Sequence, residues 1–108
     1  MFNFFDRGVN TISMRNAMAD LQKNPEIQLI DVRTPDEYRQ GHIPGSISVP
    51  LDNWQQIQAV VPDKTAVLYV YCLSGGRSQV ACQNFAKLGY TNVNNIGGIG
   101  SYNGPVER

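Results

Sequence analysis

Apolar residues occur along the chain in short runs that alternate with stretches of helical spacing. Four runs predict buried strands: residues 27–32 (IQLIDV), 47–49, 66–71 (AVLYVY) and 93–96. Helical spacing of apolar residues predicts helices in three further stretches: from Thr11 to Leu21, from Leu51 to Val60 and from Ser78 to Leu88. Strands that alternate with helices indicate a three-layer α/β fold, in which a small, mainly parallel central sheet is flanked by helices.

Capping residues locate the predicted ends of the helices more closely. Residues 34–37 (TPDE) form a capping-box sequence with proline at the first helical position, which predicts a brief helix through about Arg39 that ends at Gly41. Ser78 is predicted to cap the N-terminus of the helix that follows, and Gly89 to stand just beyond its C-terminus.

Two glycine- or phenylalanine-rich stretches have no clear period. Residues 1–10 are expected to form an irregular arm that packs at least one phenylalanine ring, and residues 97–100 (GGIG) to form a flexible turn.

Length and charge limit the functional classes. The 108 residues suffice for one domain, 1–108, with a core over about 11–107. Nine basic residues balance nine acidic ones, so neither a nucleic acid nor a membrane is expected as partner, and nothing demands more than a monomer. Two cysteines and one histidine support neither a disulfide framework nor a metal site. The N-terminus has no signal-peptide pattern, so a cytoplasmic location is expected.

The strongest chemical signal follows the most apolar predicted strand. Cys72 ends that strand and is followed by a short loop composed of Leu73, Ser74, Gly75, Gly76, Arg77 and Ser78. Such a loop before a helix directs backbone N–H groups inward, and the helix N-terminus adds partial positive charge. A thiol placed there should ionise readily, which predicts a nucleophile. The alternative is that Cys72 is a small buried core residue.

Three separated motifs give the chain its resemblance to a known family. The first combines Asp31-Val32-Arg33, Glu37-Tyr38 and residues 41–47 (GHIPGSI); the second is residues 72–78 (CLSGGRS); the third is Gly97-Gly98. In this order they resemble the signature of the rhodanese domain, a single-domain sulfurtransferase. The chain departs from the family pattern near its end, where Tyr102 stands in place of the usual tryptophan and glycines shorten the last helix.

The resemblance implies a reaction. Cys72 would take a sulfur atom from a small donor, thiosulfate or a persulfide, and pass it as a persulfide to a thiol acceptor, on a small molecule or a protein. The loop residues 73–78 would bind the substrate, and no metal or organic cofactor would be required.

The polar residues of these motifs each allow two interpretations of their role. Arg77 either binds an anionic substrate or pins the loop by pairing with Asp31 or Glu37. Asp31, Arg33 and Glu37 are interpreted as loop anchors in preference to an acid/base group, with Arg33 and Glu37 as neighbours across the helix start. His42 is interpreted as a turn-stabilising residue, with a catalytic base as the alternative. Cys82 is predicted to pack in the core.

Three other functions share parts of this pattern. Cysteine-dependent phosphatases and arsenate reductases also place a glycine-rich loop and an arginine after the cysteine, but with five intervening residues where this chain has four. A non-catalytic rhodanese-like module would usually lack the cysteine. A persulfide carrier that acts with a protein partner remains open, because Leu73 and Ser74 bring no positive charge to the loop.

Overall fold

The structure, a computed structural model, describes residues 8–108. It contains five strands, four α-helices and two short 3₁₀ segments. In chain order these are β1 (Val9–Thr11), α1 (Met14–Lys23), β2 (Gln28–Asp31), α2 (Pro35–Gln40), β3 (Ile47–Ser48), a 3₁₀ segment (Leu51–Gln56), α3 (Ile57–Val60), β4 (Val67–Cys72), α4 (Gly76–Lys87), β5 (Asn92–Gly98) and a 3₁₀ segment (Ile99–Ser101).

All five strands belong to one parallel sheet with the order β1-β5-β4-β2-β3. Strand β4 lies at its centre between β2 and β5, so its residues from Leu68 to Cys72 are buried. Alternate residues of a strand face opposite sides of a sheet, and each side here carries its own apolar cluster. Helices therefore cover both faces, as the alternating sequence pattern predicted.

The first cluster packs α4 and α3 against one face of the sheet. Leu68, Val70 and Cys72 of β4 meet Ala81, Cys82 and Phe85 of α4 there. The second cluster packs α1 against the opposite face, where Tyr69 and Tyr71 of β4 meet Met14 and Ala17. Cys72 is the last residue of β4, and the packing of both clusters against β4 fixes its position.

Two predictions near the N-terminus need correction. Val9 and Asn10 were predicted as part of an irregular arm and Thr11 as the start of the first helix, but Val9–Thr11 is an edge strand that pairs with Val93–Asn95 of β5. Hydrogen bonding to an exposed sheet edge gives order to a segment that lacks an apolar period of its own. Helix α1 begins after Ser13, whose side chain accepts a hydrogen bond from the N–H of Asn16. The predicted ring packing falls on residues 1–7, outside the described residues.

The predicted helix over residues 51–60 is also only partly correct. It consists of the 3₁₀ segment and the short α3, and Asn53 within the 3₁₀ segment has non-helical backbone angles of φ −128° and ψ 36°. Apolar spacing fixes which side chains face the core but does not reveal such a kink, because both segments still bury one stripe. The prediction for residues 97–100 was wrong at its start, since Gly97 and Gly98 end β5 and only then does a 3₁₀ turn follow.

Within residues 8–108, none of the helices has the length and apolar character that crossing a bilayer would require. The cytoplasmic location therefore stays a prediction.

Candidate active site

The loop from Cys72 to Ser78 joins the carboxyl end of β4 to the N-terminus of α4. Helix α4 begins three residues earlier than the predicted serine cap would place it: Gly75 is the N-cap, and Ser78 lies inside the first turn. Gly75 has a φ of 107°, a left-handed conformation that glycine adopts without strain. This backbone conformation turns the loop sharply enough for the helix to start at Gly76.

The sulfur of Cys72 lies at the bottom of this loop. Its residue is 1% exposed, whereas Leu73 is 51% exposed at the rim. The N–H of Gly75 donates to Sγ at 2.9 Å, and the Ser78 hydroxyl oxygen lies 3.4 Å from Sγ. Only a slender group can reach the sulfur without moving the loop.

The surroundings of Cys72 favour its thiolate. Burial alone would raise the pKa of the thiol, but hydrogen bonds from the Ser78 hydroxyl and from the N–H groups of Ser78, Gly75 and Ser74 outweigh it, so the pKa is lowered. The N-terminus of the 12-residue helix α4 lies behind these donors and favours negative charge at the same point. The geometry is that of an anion-binding loop with sulfur at its centre.

Asn95 supports the loop from behind, and it was not identified from the sequence. Its side-chain oxygen lies 2.7 Å from the Ser78 hydroxyl and accepts a hydrogen bond from the N–H of Gly97, and its amide donates to Gln79. A β-bulge follows Asn95: Val70 pairs with Asn95 but Tyr71 pairs with Gly97, which leaves one extra residue in β5. The one available signal was a polar residue at an inward position of a strand, beside the carboxyl end of β4.

Gly97 and Gly98 form the floor under the loop. A Cβ added to Gly98 would lie 2.2 Å from the carbonyl oxygen of Leu73 and 2.6 Å from the Cα of Ser74, so no side chain fits there. Gly97 has a φ of 89° at the bulge, which again favours glycine. The glycine pair is therefore required for the close approach of β5 to the loop.

Arg77 reaches Glu37 of α2. Its two terminal nitrogens lie 2.6 and 3.0 Å from the two carboxylate oxygens of Glu37, which makes a bidentate ion pair. The Arg77 hydrogen bond is the main cause that lowers the pKa of Glu37, to about 2. Glu37 is held in turn by the predicted capping box, since it accepts from the N–H of Thr34 while the Thr34 hydroxyl accepts from the N–H of Glu37.

Asp31 and Arg33 form a second, deeper ion pair. Asp31 is 0% and Arg33 5% exposed, and the arginine donates to both oxygens of Asp31 and to the carbonyl oxygen of Gly41. The expected contact between Arg33 and Glu37 is therefore wrong in its partners: Arg33 pairs with Asp31, and Glu37 with Arg77. The buried carboxylate of Asp31 pairs with Arg33, which also donates to the Gly41 carbonyl oxygen, and the more exposed Glu37 pairs with Arg77.

His42 contacts α2 and the C-terminal tail. Its ring stacks on Tyr38 at a centroid distance of 3.7 Å, its Nδ1 lies 2.8 Å from the Tyr38 carbonyl oxygen, and its backbone pairs with Glu107. Among the contacts of the described residues, none joins His42 to Cys72, which favours the turn-stabilising interpretation. The C-terminal tail is thereby attached to the rest of the domain at Glu107.

Cys82 lies in the first cluster, as predicted. It is 0% exposed, and burial raises the pKa of its thiol well above the ordinary value. It is a core residue and not a second nucleophile.

One cavity lies beside the loop, and a separate groove lies at α1. A cavity of about 360 Å³ is lined by Arg77 together with Val32, Pro35, Pro50, Leu51 and Asp52, among others. A groove of about 600 Å³ lies between α1 and the C-terminal segment. Tyr102 forms part of its wall and donates its hydroxyl proton to the carbonyl oxygen of Pro105. The substitution of the usual tryptophan thus leaves an aromatic side chain in place.

Comparisons with known proteins agree with this geometry. The profile of the Rhodanese-like domain family matches residues 14–104. The thiosulfate sulfurtransferase PspE of Escherichia coli is 42% identical over 71 residues, which cover 65% of this chain and 68% of that protein. A sulfurtransferase of Allochromatium vinosum is 35% identical over 92 residues, which cover 84% of this chain and 85% of that protein.

A solved structure supports the same assignment. A rhodanese with anions from Escherichia coli superposes with a TM-score of 0.71 at 37% identity, over 76% of this chain and 98% of that one. The three motifs, the parallel sheet with its cysteine loop, and these relatives lead to one conclusion. The chain belongs to the rhodanese-like domain family and is an enzyme of the sulfurtransferase type.

Proposed function

We propose that this chain transfers a sulfane sulfur atom from thiosulfate or a persulfide to a thiol acceptor, with Cys72 as the nucleophile. The Cys72 thiolate attacks the outer sulfur of the donor. The S–S bond of the donor breaks, and the leaving group, sulfite in the case of thiosulfate, departs with the electron pair. Cys72 is left as a persulfide anion, and the acceptor thiolate then takes its outer sulfur and restores the Cys72 thiolate. This is covalent catalysis that divides one transfer into two steps.

The loop stabilises negative charge at each stage. The N–H groups of Ser74, Gly75 and Ser78 and the Ser78 hydroxyl already lower the pKa of Cys72 in the resting protein. The outer sulfur of a persulfide would carry its charge toward the exposed rim formed by Leu73, Ser74 and Gly76. Fixed donors need no reorganisation when the charge moves, which is the basis of their contribution to rate.

The single observation that carries the proposal is the N–H of Gly75 at 2.9 Å from the sulfur at the start of α4. A cysteine that served only to fill the core would need no donor directed at it. The same short loop argues against the phosphatase alternative. A ring with four residues between cysteine and arginine, whose arginine is already paired with Glu37, has less room and less free charge for a phosphate group.

The test is the intact mass of the protein after brief exposure to thiosulfate. We expect a gain of one sulfur atom that disappears on treatment with cyanide. Cys72→Ser should abolish the gain, whereas the matched variant Cys82→Ala should retain it. A wild-type protein that gains no sulfur from thiosulfate or from a low-molecular-weight persulfide would exclude the proposal. Release of phosphate from p-nitrophenyl phosphate without thiocyanate formation would favour the phosphatase alternative.

The carrier alternative differs in its donor. A carrier should accept sulfur rapidly from a protein or small persulfide and only slowly from thiosulfate. Single-turnover rates with the two donors at equal concentration separate it from a thiosulfate-dependent enzyme.

A further inference from the structure

The positively charged side chain of the active-site loop forms an ion pair within the protein. Arg77 is the only cationic residue of the loop, and both of its terminal nitrogens are bound to the carboxylate of Glu37. The carboxylate is itself fixed, because it also accepts the N–H of Thr34 at the start of α2. The pair is therefore a neutral unit with a defined geometry and not a mobile cation.

The cavity next to this pair offers an anion little attraction. Among the described residues that line the cavity of about 360 Å³, Arg77 is the one cation and Asp52 the one anion. Glu37 adds a second negative charge beside this cavity, so Arg77, Asp52 and Glu37 together carry a net charge of −1. The attraction that remains for a donor comes from the backbone N–H groups around Sγ, which act on the transferred sulfur and not on the far end of the donor.

We propose that Glu37 is a positioning residue for donor choice: by holding Arg77, it matches the site to sulfane donors whose distal end carries no charge, such as organic persulfides and thiosulfonates, in preference to the thiosulfate dianion. The inference rests on the proposed function, because it concerns the donor in the first half of that reaction. It assigns to Glu37 a role in specificity that a loop anchor alone would not have.

A pair of donors isolates the effect. Methanethiosulfonate has the structure of thiosulfate with a methyl group in place of one anionic oxygen, so it carries one negative charge where thiosulfate carries two. Both donate the same sulfur to Cys72: the S–S bond breaks, and methanesulfinate or sulfite leaves with the electron pair. The ratio of kcat/KM for thiosulfate to that for methanethiosulfonate therefore reports the charge that the distal end of the donor meets.

The variant Glu37→Gln removes the charge and preserves the local structure. Glutamine also serves at this position of a capping box, so α2 should keep its start. We expect the donor ratio to rise about tenfold, because Arg77 is then free to attract the second charge of thiosulfate; this corresponds to about 1.4 kcal/mol. The rise should come mainly from a lower KM for thiosulfate.

Two controls test the route of the effect. Asp36→Asn removes the same charge from the neighbouring residue, which is exposed and pairs with Arg39, and should leave the ratio within twofold. The double variant Glu37→Gln, Arg77→Gln should have a lower ratio than Glu37→Gln alone, because it retains no cation that could attract the second charge of thiosulfate. An unchanged ratio in Glu37→Gln, or an equal rise in Asp36→Asn, would overturn the inference.

The wild-type protein provides a second measurement that needs no variant. Because Arg77, Glu37 and Asp52 together carry one net negative charge, added salt should leave the donor ratio unchanged or raise it slightly; a steep fall with added salt would show a free cation and contradict the inference. A wild-type protein that takes sulfur from neither donor would exclude the proposed function itself. Sulfur transfer with an unchanged ratio would exclude only the role of Glu37.

Discussion

The hydroxyl of Ser78 provides the sharpest test of how the loop ionises its cysteine. It lies 3.4 Å from Sγ, and its oxygen is also 2.7 Å from Asn95 and 2.9 Å from the Gly75 carbonyl oxygen. When the sulfur is anionic it is the strongest acceptor of the three, so the hydroxyl proton should turn toward it. Ser78→Ala removes this donor and leaves the backbone N–H groups of the loop in place.

The magnitude follows from the strength of a hydrogen bond to a charged group, about 1.5–3 kcal/mol. Because the distance of 3.4 Å between the Ser78 hydroxyl oxygen and Sγ is long, the lower end applies. About 1.4 kcal/mol corresponds to one pKa unit. Since the intact site lowers the pKa of Cys72, the variant should raise it by about one unit. At a pH below both pKa values, the thiolate fraction, and with it the alkylation rate, should fall about tenfold.

The assay is the pH profile of Cys72 alkylation by iodoacetamide, followed by intact mass. Cys82 is buried and should not contribute near neutral pH. Ser74→Ala is the matched control, because the loop uses the backbone N–H of Ser74 and alanine retains it; its profile should match that of the wild type. If Ser78→Ala leaves the pKa of Cys72 unchanged, the backbone N–H groups alone set the ionisation and our reasoning about the hydroxyl is refuted.

Three further predictions concern the supports of the loop. Gly98→Ala should reduce sulfur transfer at least tenfold and lower the melting temperature, since the new Cβ would overlap the loop backbone; Gly100→Ala, whose Cβ would meet its nearest neighbour at 3.9 Å, should do neither. Arg33→Met leaves the buried Asp31 unpaired and should cost about 3–5 kcal/mol of unfolding free energy, measured in urea; a loss below 1 kcal/mol would contradict this. Glu37 gives a pH dependence. Its pKa is about 2 in the folded protein against 4.5 as a free side chain, so its stabilisation is present above pH 4.5 and is lost as the pH falls toward 2. The difference in stability between wild type and Glu37→Gln should disappear over that interval, and a constant difference would exclude the ion pair as its cause.

The fold and the cysteine were predictable because their signals are local. A run of apolar residues that ends in Cys72, followed by glycines and a helical stripe, defines a strand, a loop and a helix without reference to the rest of the chain. The capping box of α2 is equally local, and the structure reproduces each of its hydrogen bonds.

The partners of the loop were harder to predict because they depend on sheet register. The side chain of Asn95 reaches Ser78 only because β5 lies beside β4 and a bulge adjusts the pairing there. The ion pairs between Arg33 and Asp31 and between Arg77 and Glu37 likewise depend on how deeply each residue is buried, which cannot be inferred from sequence spacing. Ser78 showed a related limit: its residue type favours a cap, but the left-handed Gly75 starts the helix before it.

The position of Cys82 has a consequence for oxidative damage. The chain has two cysteines, and the second faces the apolar cluster under α4 with no exposed surface. An oxidised Cys72 therefore cannot be rescued by forming a disulfide within the molecule, since the other thiol is both shielded and protonated. Recovery of the enzyme after oxidation by peroxide therefore requires a thiol from another molecule. Such a thiol belongs to the same class of small molecules or proteins that would accept sulfur from Cys72.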